Sequence, residues 1–520
     1  MSGSDPPSSP SSHASFAFPS QFNHHVDSRP PTPVRILPVN EIFEHRTLRK
    51  IDRRLLPVLG VLNALAFIDT TNFLVALQRG ADHDLNLLFK DRYLLATGVF
   101  FVPYVLCQLP LNLALRRVGP PTWIGTLTFL VGAALIWLAF VNNWQQFVAL
   151  ISYLGIFKAG FLPSSVYLIS CWYTRKELHT RLAYFYTASI FLGSFANIFA
   201  FGLSKIHSNT VGWRWIFIIQ GIITMVISPY GYISVLPFPD KTSAAHAPFL
   251  NRDEVHLMRQ RVEVDRRDYV PDSLTGAKVR AYLLDLKLWA FGVLAMCATT
   301  IRKPPTPIKL ILLSNNNVHS RPATVFIPPG LLACLLTIVT AKLSDRANLR
   351  GPFIAFNFML SIVGLCMVAF SNRRGARYVG GFLAYGGAQA NVPSIFTYQA
   401  TNIRLHSKRI YTISLVAALA GAGGLIAAFT FPVAAAPRYS AGLWVVLALQ
   451  IAGLVVSVLL MGALWRTNTQ ARGRPSAQAD PAQPSPPSTS TPTPTPATAQ
   501  TSRSRRTRTI EGLEGFTYTL

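Results

Sequence analysis

Apolar stretches long enough to cross a lipid bilayer recur along the whole chain, and this recurrence restricts the possible folds more than any other feature. A hydrocarbon core of about 30 Å takes about 20 helical residues. Runs of that order lie near 55–77, 93–115, 122–141, 146–172, 182–204, 214–236, 325–341, 352–371, 378–400, 410–434 and 440–465. A shorter run at 287–300 makes a twelfth if it is counted. Because lipid offers no partner to backbone N–H and C=O groups, such spans are helices. The sequence therefore predicts an all-α membrane protein of 12 transmembrane helices, surrounded by the lipid bilayer. One long polar segment, DKTSAAHAPFLNRDEVHLMRQRVEVDRRDYVPDSLTGAKVR, separates six spans from six. Two six-helix groups joined this way are the arrangement of a transporter built from structural repeats. The implied divisions are a tail at 1–40, a first bundle at 41–236, a central loop at 237–286, a second bundle at 287–466 and a tail at 467–520. Both tails are rich in Pro, Ser and Thr, a composition that buries too little apolar surface to fold.

Charge supports the membrane reading. Only 13% of residues are charged, against about 25% in soluble domains. The formal net charge of +26 would suit nucleic acid, but the basic residues lie in short loops and tails rather than on one patch. No nucleic-acid partner is expected. Arg116, Arg117, Arg175, Lys176, Arg181, Lys342, Arg346, Arg350, Arg404, Lys408 and Arg409 fall on one side of the spans together with the central loop. Exceptions on the other side are Arg79, Lys90 and Arg92, interleaved with acids, and Arg373, Arg374 and Arg377. The positive-inside rule then places both termini in the cytoplasm. The N-terminus shows no signal-peptide pattern, so the first span is expected to direct insertion.

Cys107, Cys171, Cys297, Cys334 and Cys366 sit within apolar runs without metal-ligand or disulfide spacing, and read as small core hydrophobes. With no nucleophile elbow, phosphate loop or metal cluster in view, the sequence predicts no enzyme and no cofactor. Ionisable side chains at mid-bilayer cost about 2.5–3.5 kcal/mol even on lenient scales and are functional candidates. Here they are Asp69, in LAFIDTTNF, and Lys158, in GIFKAGFLP. Asn63, Asn72, Tyr104, Gln108, Tyr153, Asn197, Asn357, Gln389, Asn391 and Tyr398 are polar candidates for a cavity, with interhelical hydrogen bonding as the plainer alternative. Asp345, Arg346 and Arg350 lie at a helix end, where a charge network between bundles can latch one state of a rocking transporter. Simple anchoring by positive charge is the alternative there.

Several strings resemble the major facilitator superfamily, and within it the anion:cation symporter branch of fungal allantoate-permease-like transporters. In the fourth span and its exit, Gly155, Ala159, Gly160, Pro163, Trp172, Tyr173, Glu177 and Arg181 match the pattern G-x-x-E-A-G-x-x-P followed by W-Y-x-x-x-E and an arginine. Pro110, Asn112, Arg117, Gly119 and Trp123 resemble the second-span string, and LSDRANLRG the gating loop. TYQATNIRLHSKR and GGLIAAFTF…APRYSAGLW are similar to the exit of the tenth helix and to the eleventh-helix signature. The resemblance covers residues 41–466 and implies two six-helix bundles moving a small organic anion with protons, as a monomer in the plasma membrane. It also implies an Asp-Arg pair in the first helix and an arginine seven residues before a glutamate in the fourth. This chain has Asp69, but Thr70, Ile151 and Lys158 stand at the other three positions. One acid and one base still balance, so Lys158 is expected to bind the anion and Asp69 to carry the proton. The alternatives are a structural ion pair in an uncoupled uniporter, or a protein that does not transport.

The seventh span departs from the resemblance. After LKLWAFGVLAMCATT comes IRKPPTPIKLILLSNNNVHSRPA, whose prolines and charges oppose a continuing helix. It reads as intron-derived or out-of-frame residues, with a broken helix as the alternative.

Overall fold

The computed structural model describes residues 41–76, 80–85, 92–204, 212–240, 249–266, 272, 274–301, 327–430, 440–472 and 519. The anomalous stretch after Ile301, residues 302–326, and most of both tails lie outside the described residues. Every regular element among the described residues is helical. In the first half these are α1 (Glu41–Ala76), α2 (Arg92–Leu106), α3 (Gln108–Val118), α4 (Pro120–Ala139), α5 (Trp144–Ala159), α6 (Phe161–Trp172), α7 (Leu178–Leu203) and α8 (Gly212–Ser234), besides a short turn at Asp82–Asp84. The central segment contributes α9 (Arg252–Arg266) and α10 (Gly276–Leu283). The second half holds α11 (Leu286–Thr299), α12 (Ile327–Ala347), α13 (Gly351–Phe370), α14 (Arg374–Asn402), α15 (His406–Thr430) and α16 (Ser440–Arg472).

Among the described residues, eight stretches are long and apolar enough to cross a membrane, and two bent pairs raise this to 10. The remaining expected spans are α1 and α14, continuous helices of 36 and 29 residues whose polar side chains lower their hydropathy. Two proline effects shape the second and fourth spans. Pro110 has no N–H for the carbonyl of Leu106, and α2 and α3 meet at 49° around Cys107. Pro163 likewise cannot donate to Ala159, and α5 passes into α6 through a turn at Gly160. Among the described residues the seventh span comprises α11, fourteen residues or about 21 Å of helix, set at 68° to α10.

The central segment is not merely a loop. In α9 the sequence RDEVHLMRQRVEVDR buries Val255, Leu257 and Met258 together with Glu254, which pairs with Lys50 of α1, and this face docks the helix beneath the first half. The side bearing α9, α10, the start of α1 and the end of α16 is termed the tail side below.

Lipid supplies no hydrophobic drive between helices, so close approach of backbones matters more. Gly155 is one such place: a Cβ there would sit 2.4 Å from the carbonyl oxygen of Phe100. This contact seats α5 on α2 one turn before Lys158. A Gly155→Ala variant must push the two helices apart, with an expected loss of about 1–3 kcal/mol, read as a lower midpoint of thermal unfolding in detergent. Gly375→Ala, where nothing lies within 4 Å, is the neutral control.

Candidate functional site

Helix α1 enters its apolar stretch at Leu55, and Asp69 lies fourteen residues later, about 21 Å along the helix. Lys158 stands fourteen residues from the tail-side end of the fourth span at Trp172, again about 21 Å. The two helices thus bring acid and base to the same depth, and Lys158 Nζ donates a hydrogen bond to Asp69 Oδ1. Their side chains are 9% and 3% exposed. Lys158 Nζ also lies 5.6 Å from the centre of the Phe100 ring, whose face attracts a cation. An ammonium has three protons to donate. Among the described residues, no second hydrogen-bond acceptor for Lys158 is seen. The group is buried, charged, and has donors to spare, which suits an anion.

Polar neighbours follow α1 through the membrane. Asn63 donates to Ser189 Oγ on α7 (2.7 Å), and Asn72 donates to Gln220 Oε1 on α8 (3.4 Å). Gln220 in turn donates to the Leu65 carbonyl at 3.3 Å. Asn72, one turn beyond Asp69, keeps a buried Oδ1 that receives no hydrogen bond among the described residues. Tyr153 is placed otherwise: it is 54% exposed and stacks on Phe157, off the buried face of α5 that carries Ile151, Leu154 and Lys158. The side chain of Asn197 lies outside the described residues.

Gln389, Asn391 and Tyr398 belong to α14 in the other half, and all three are fully buried. Tyr186 on α7 donates its hydroxyl to Gln389 Oε1 (3.0 Å), joining the halves at mid-depth. Tyr398 packs edge-on against Phe291, centroids 5.3 Å apart. Both side-chain amide atoms of Asn391, Asn357 and Gln108, the Gln389 amide nitrogen and the Tyr398 hydroxyl lack hydrogen-bond partners among the described residues. Buried polar atoms are rarely left so, and such groups mark places where water or solute binds.

The tail side holds a latch. Asn348 adopts φ 53°, a left-handed conformation that asparagine tolerates, and reverses the chain after α12. This turn lays Arg350 back over its own helix end, where it pairs with Asp345 Oδ1 (2.6 Å) and donates to Ser344 Oγ (2.9 Å). Both residues then cross to the first half: Asp345 Oδ2 accepts from the Thr180 amide (2.7 Å) and hydroxyl (2.5 Å), and Arg350 donates to the Arg175 carbonyl (3.0 Å). Burial pulls the Arg350 guanidinium below its ordinary value while Asp345 opposes this. Arg346 is exposed and stands outside the latch.

Sequence reasoning missed a second crossing. Arg116 (3.2 Å), Tyr167 (2.9 Å) and Arg409 (2.9 Å) all converge on Nδ1 of His406. Guanidinium groups can only donate, so Nδ1 is the acceptor and the ring proton sits on Nε2. Asn112 donates to Ser414 Oγ (2.9 Å), and His179 meets Ser394 (3.0 Å), adding two more links. In the strings that contain Glu177, Arg181 and Arg409, the intervening His179, Thr180 and His406 carry no spacing signal.

The residues matching W-Y-x-x-x-E and the following arginine tie α9 to the first half. Trp172 donates to the Pro237 carbonyl (3.1 Å), and Arg181 bonds Glu177 (2.9 Å) and Asp52 (3.4 Å). Arg261 of α9 bridges Glu177 and Glu44. Burial pushes the Glu177 carboxyl up, but Arg261 and Arg181 outweigh it and hold the group below its ordinary value.

Against known sequences, the profile described as Major Facilitator Superfamily matches residues 59–415. The chain is 26% identical over 437 residues to a high-affinity nicotinic acid transporter of Saccharomyces cerevisiae, covering 83% of this chain and 80% of that one. It is 28% identical over 412 residues to the major facilitator-type transporter hxnP of Emericella nidulans, with 76% and 81% covered. Among solved structures, it resembles the proton:xylose symporter XylE at a TM-score of 0.61 and 13% identity, covering 80% of this chain and 95% of that one. The human organic anion transporter MFSD10 superposes at a TM-score of 0.55, with 13% identity and 78% and 98% covered.

Two outcomes follow from the geometry. Lys158→Gln leaves a buried carboxylate without its counter-charge and is expected to lose about 3–5 kcal/mol, whereas Asp69→Asn with Lys158→Gln regains most of it; thermal unfolding of both in detergent measures the difference. Asp345→Ala opens the latch, so Cys171, 5% exposed, is expected to react with a membrane-permeant maleimide about ten-fold faster or more, given about 2–5 kcal/mol for one partner of a buried charged pair. A background with the other four cysteines replaced by serine isolates that rate.

Proposed function

The chain belongs to the Major Facilitator Superfamily, and on that premise we propose that it takes up a small organic anion, a monocarboxylate of vitamin size, together with protons. The observation that carries this reading is the ammonium of Lys158, buried at mid-membrane beside Asp69 with N–H donors to spare. Protonation of Asp69 removes the negative partner, and Lys158 is then left with an uncompensated charge in a low-dielectric site. A carboxylate arriving there restores neutrality, so proton and anion favour each other's binding. Return of the proton to the other side reverses both steps, which is the coupling a symporter requires.

The buried, partnerless amides of Gln108, Asn357 and Asn391 supply polar surface for the rest of a small solute or its water. Nicotinic acid, the solute named for the yeast relative, combines a carboxylate with a planar ring and is the first probe to use. We place the tail side in the cytoplasm on the loop charges, the chain in the plasma membrane, and the working unit as the monomer. Asp69, Lys158, Asn72, Gln389, Asn391 and Tyr398 are the proposed transport residues, and Asp345 with Arg350 the gate; Tyr153, exposed, is left to the helix surface.

A second reading has a specific observation behind it. Ile151, a buried apolar residue, stands on the same helix two turns before Lys158, so no second cation assists there. In that reading the ion pair only joins α1 to α5, and movement of the solute is uncoupled.

Uptake of labelled nicotinate into vesicles holding the purified full chain separates the two. An inward proton gradient is expected to raise accumulation, and Asp69→Asn to abolish that dependence. Lys158→Gln is expected to cut uptake about a hundred-fold, equivalent to about 3 kcal/mol of lost anion binding. Gradient-indifferent uptake overturns proton coupling, and uptake unaffected by Lys158→Gln overturns its role in holding the anion.

A further inference from the structure

The start of α1 carries a basic face that transport does not use. His45, Arg46, Arg49, Arg53 and Arg54, with Phe249 across from them, line a groove of about 970 Å³. Arg46, Arg49 and Arg53 follow steps of three and four residues and so share one stripe of the helix. The opposite stripe, Leu48, Ile51 and Leu55, is buried in the core and fixes the direction in which the arginines point. Two neighbouring cations are already engaged: Lys50 pairs with Glu254 (2.5 Å), and Arg54 lies over the Phe249 ring (4.4 Å) and donates to the Ile233 carbonyl (3.4 Å). His45, Arg46, Arg49 and Arg53 are exposed and bond to no acid among the described residues.

Position adds a second argument. Arg54 is the last charge before Asp69, and from Leu55 the helix is apolar. The groove therefore lies at the boundary between hydrocarbon and headgroups, on the tail side, with Ile42 80% exposed beside it. Arginine forks match phosphate oxygens two at a time. Clusters of cations next to a span attract anionic lipid, each contributing about 1 kcal/mol near the surface. The volume is at the upper end for a small-ligand site, about 300–1,000 Å³, more than a single phosphate requires.

We propose that this groove binds the headgroup of a multiply phosphorylated anionic phospholipid in the tail-side leaflet. Arg46, Arg49 and Arg53 hold the phosphates, His45 borders them, and the acyl chains run past Pro57 and Val61, the exposed positions of the apolar stretch below the arginines. The lipid would then fix the start of the helix that bears Asp69 against α9, through Lys50 and Glu254.

The test uses the purified full chain in nanodiscs of phosphatidylcholine, with a fluorescent phosphatidylinositol bisphosphate titrated in. Saturable binding is expected, weakened about a hundred-fold in R46Q/R49Q/R53Q, the combined effect of three near-surface charges. R46K/R49K/R53K, which retains charge, should recover most of the affinity. K176Q/R280Q/R466Q removes three exposed charges from the same side and should leave binding unchanged. Equal weakening in both glutamine triples would show general surface attraction and overturn the site. Soluble inositol trisphosphate competing at the same concentration as the lipid would assign the groove to a free phosphate ligand instead. A sharp, unshifted size-exclusion peak for each variant establishes that it is folded.

Discussion

A charge inside hydrocarbon must carry its partner with it, because lipid supplies none, and the pairing of Lys158 with Asp69 meets this requirement at the centre of the first half. The pair dictates much of its surroundings. Helices α1 and α5 must arrive with their polar residues at one depth, and α5 must come close enough to α2 for Lys158 to sit over Phe100. Gly155, one turn earlier, allows that approach. Asn63 and Asn72, nine residues apart and so on opposite faces of α1, then anchor it to α7 and α8, so the acid is held by a helix fixed along its length.

Distance from this centre separates two kinds of polar chemistry. Near mid-depth, side chains with unmet hydrogen-bonding atoms gather in both halves, a state that needs water or solute to complete it. At the tail side the halves are joined by paired polar groups, through Asp345 and Thr180, Arg350 and Arg175, and the convergence on His406, although Arg350 Nε, His179 Nδ1 and the Gln399 amide have no hydrogen-bond partner among the described residues. Unmet groups suit transient occupation, whereas satisfied cross-links suit a closed end. Alternating access needs such a division, since the closed end must be stable enough to hold and made of few enough bonds to break.

Much of this was legible in the sequence, for physical reasons. Hydrocarbon thickness makes spans visible as runs of about 20 residues, and the rarity of mid-membrane charge singled out Asp69 and Lys158. The Asp345–Arg350 pair was legible as two charged residues at a helix end. What escaped depends on contacts between distant segments. Thr180 and His406 are ordinary first-turn residues of α7 and α15 until folding sets them opposite Asp345 and Arg116. The angular position of Tyr153 on α5 turns it away from the face of Lys158, which its place in an apolar run does not reveal. Helix α9 was hidden in a segment read as loop because its apolar stripe is short and flanked by charge.

The resemblance carries a further lesson about what a family pattern conserves in physical terms. Asp69, Thr70, Ile151 and Lys158 retain one of four charged positions in kind, and Lys158 reverses the sign of another. Had Lys158 been a glutamate beside Asp69, two carboxylates at hydrogen-bonding distance would hold one proton between them unless arginines compensated both. With neither arginine present, a glutamate here would be the less tolerable residue, and lysine the one that restores neutrality. Set beside the four-ion pattern that the resemblance implies, Asp69 and Lys158 give the same net charge with half the ions. A site with fewer ions has a smaller desolvation penalty.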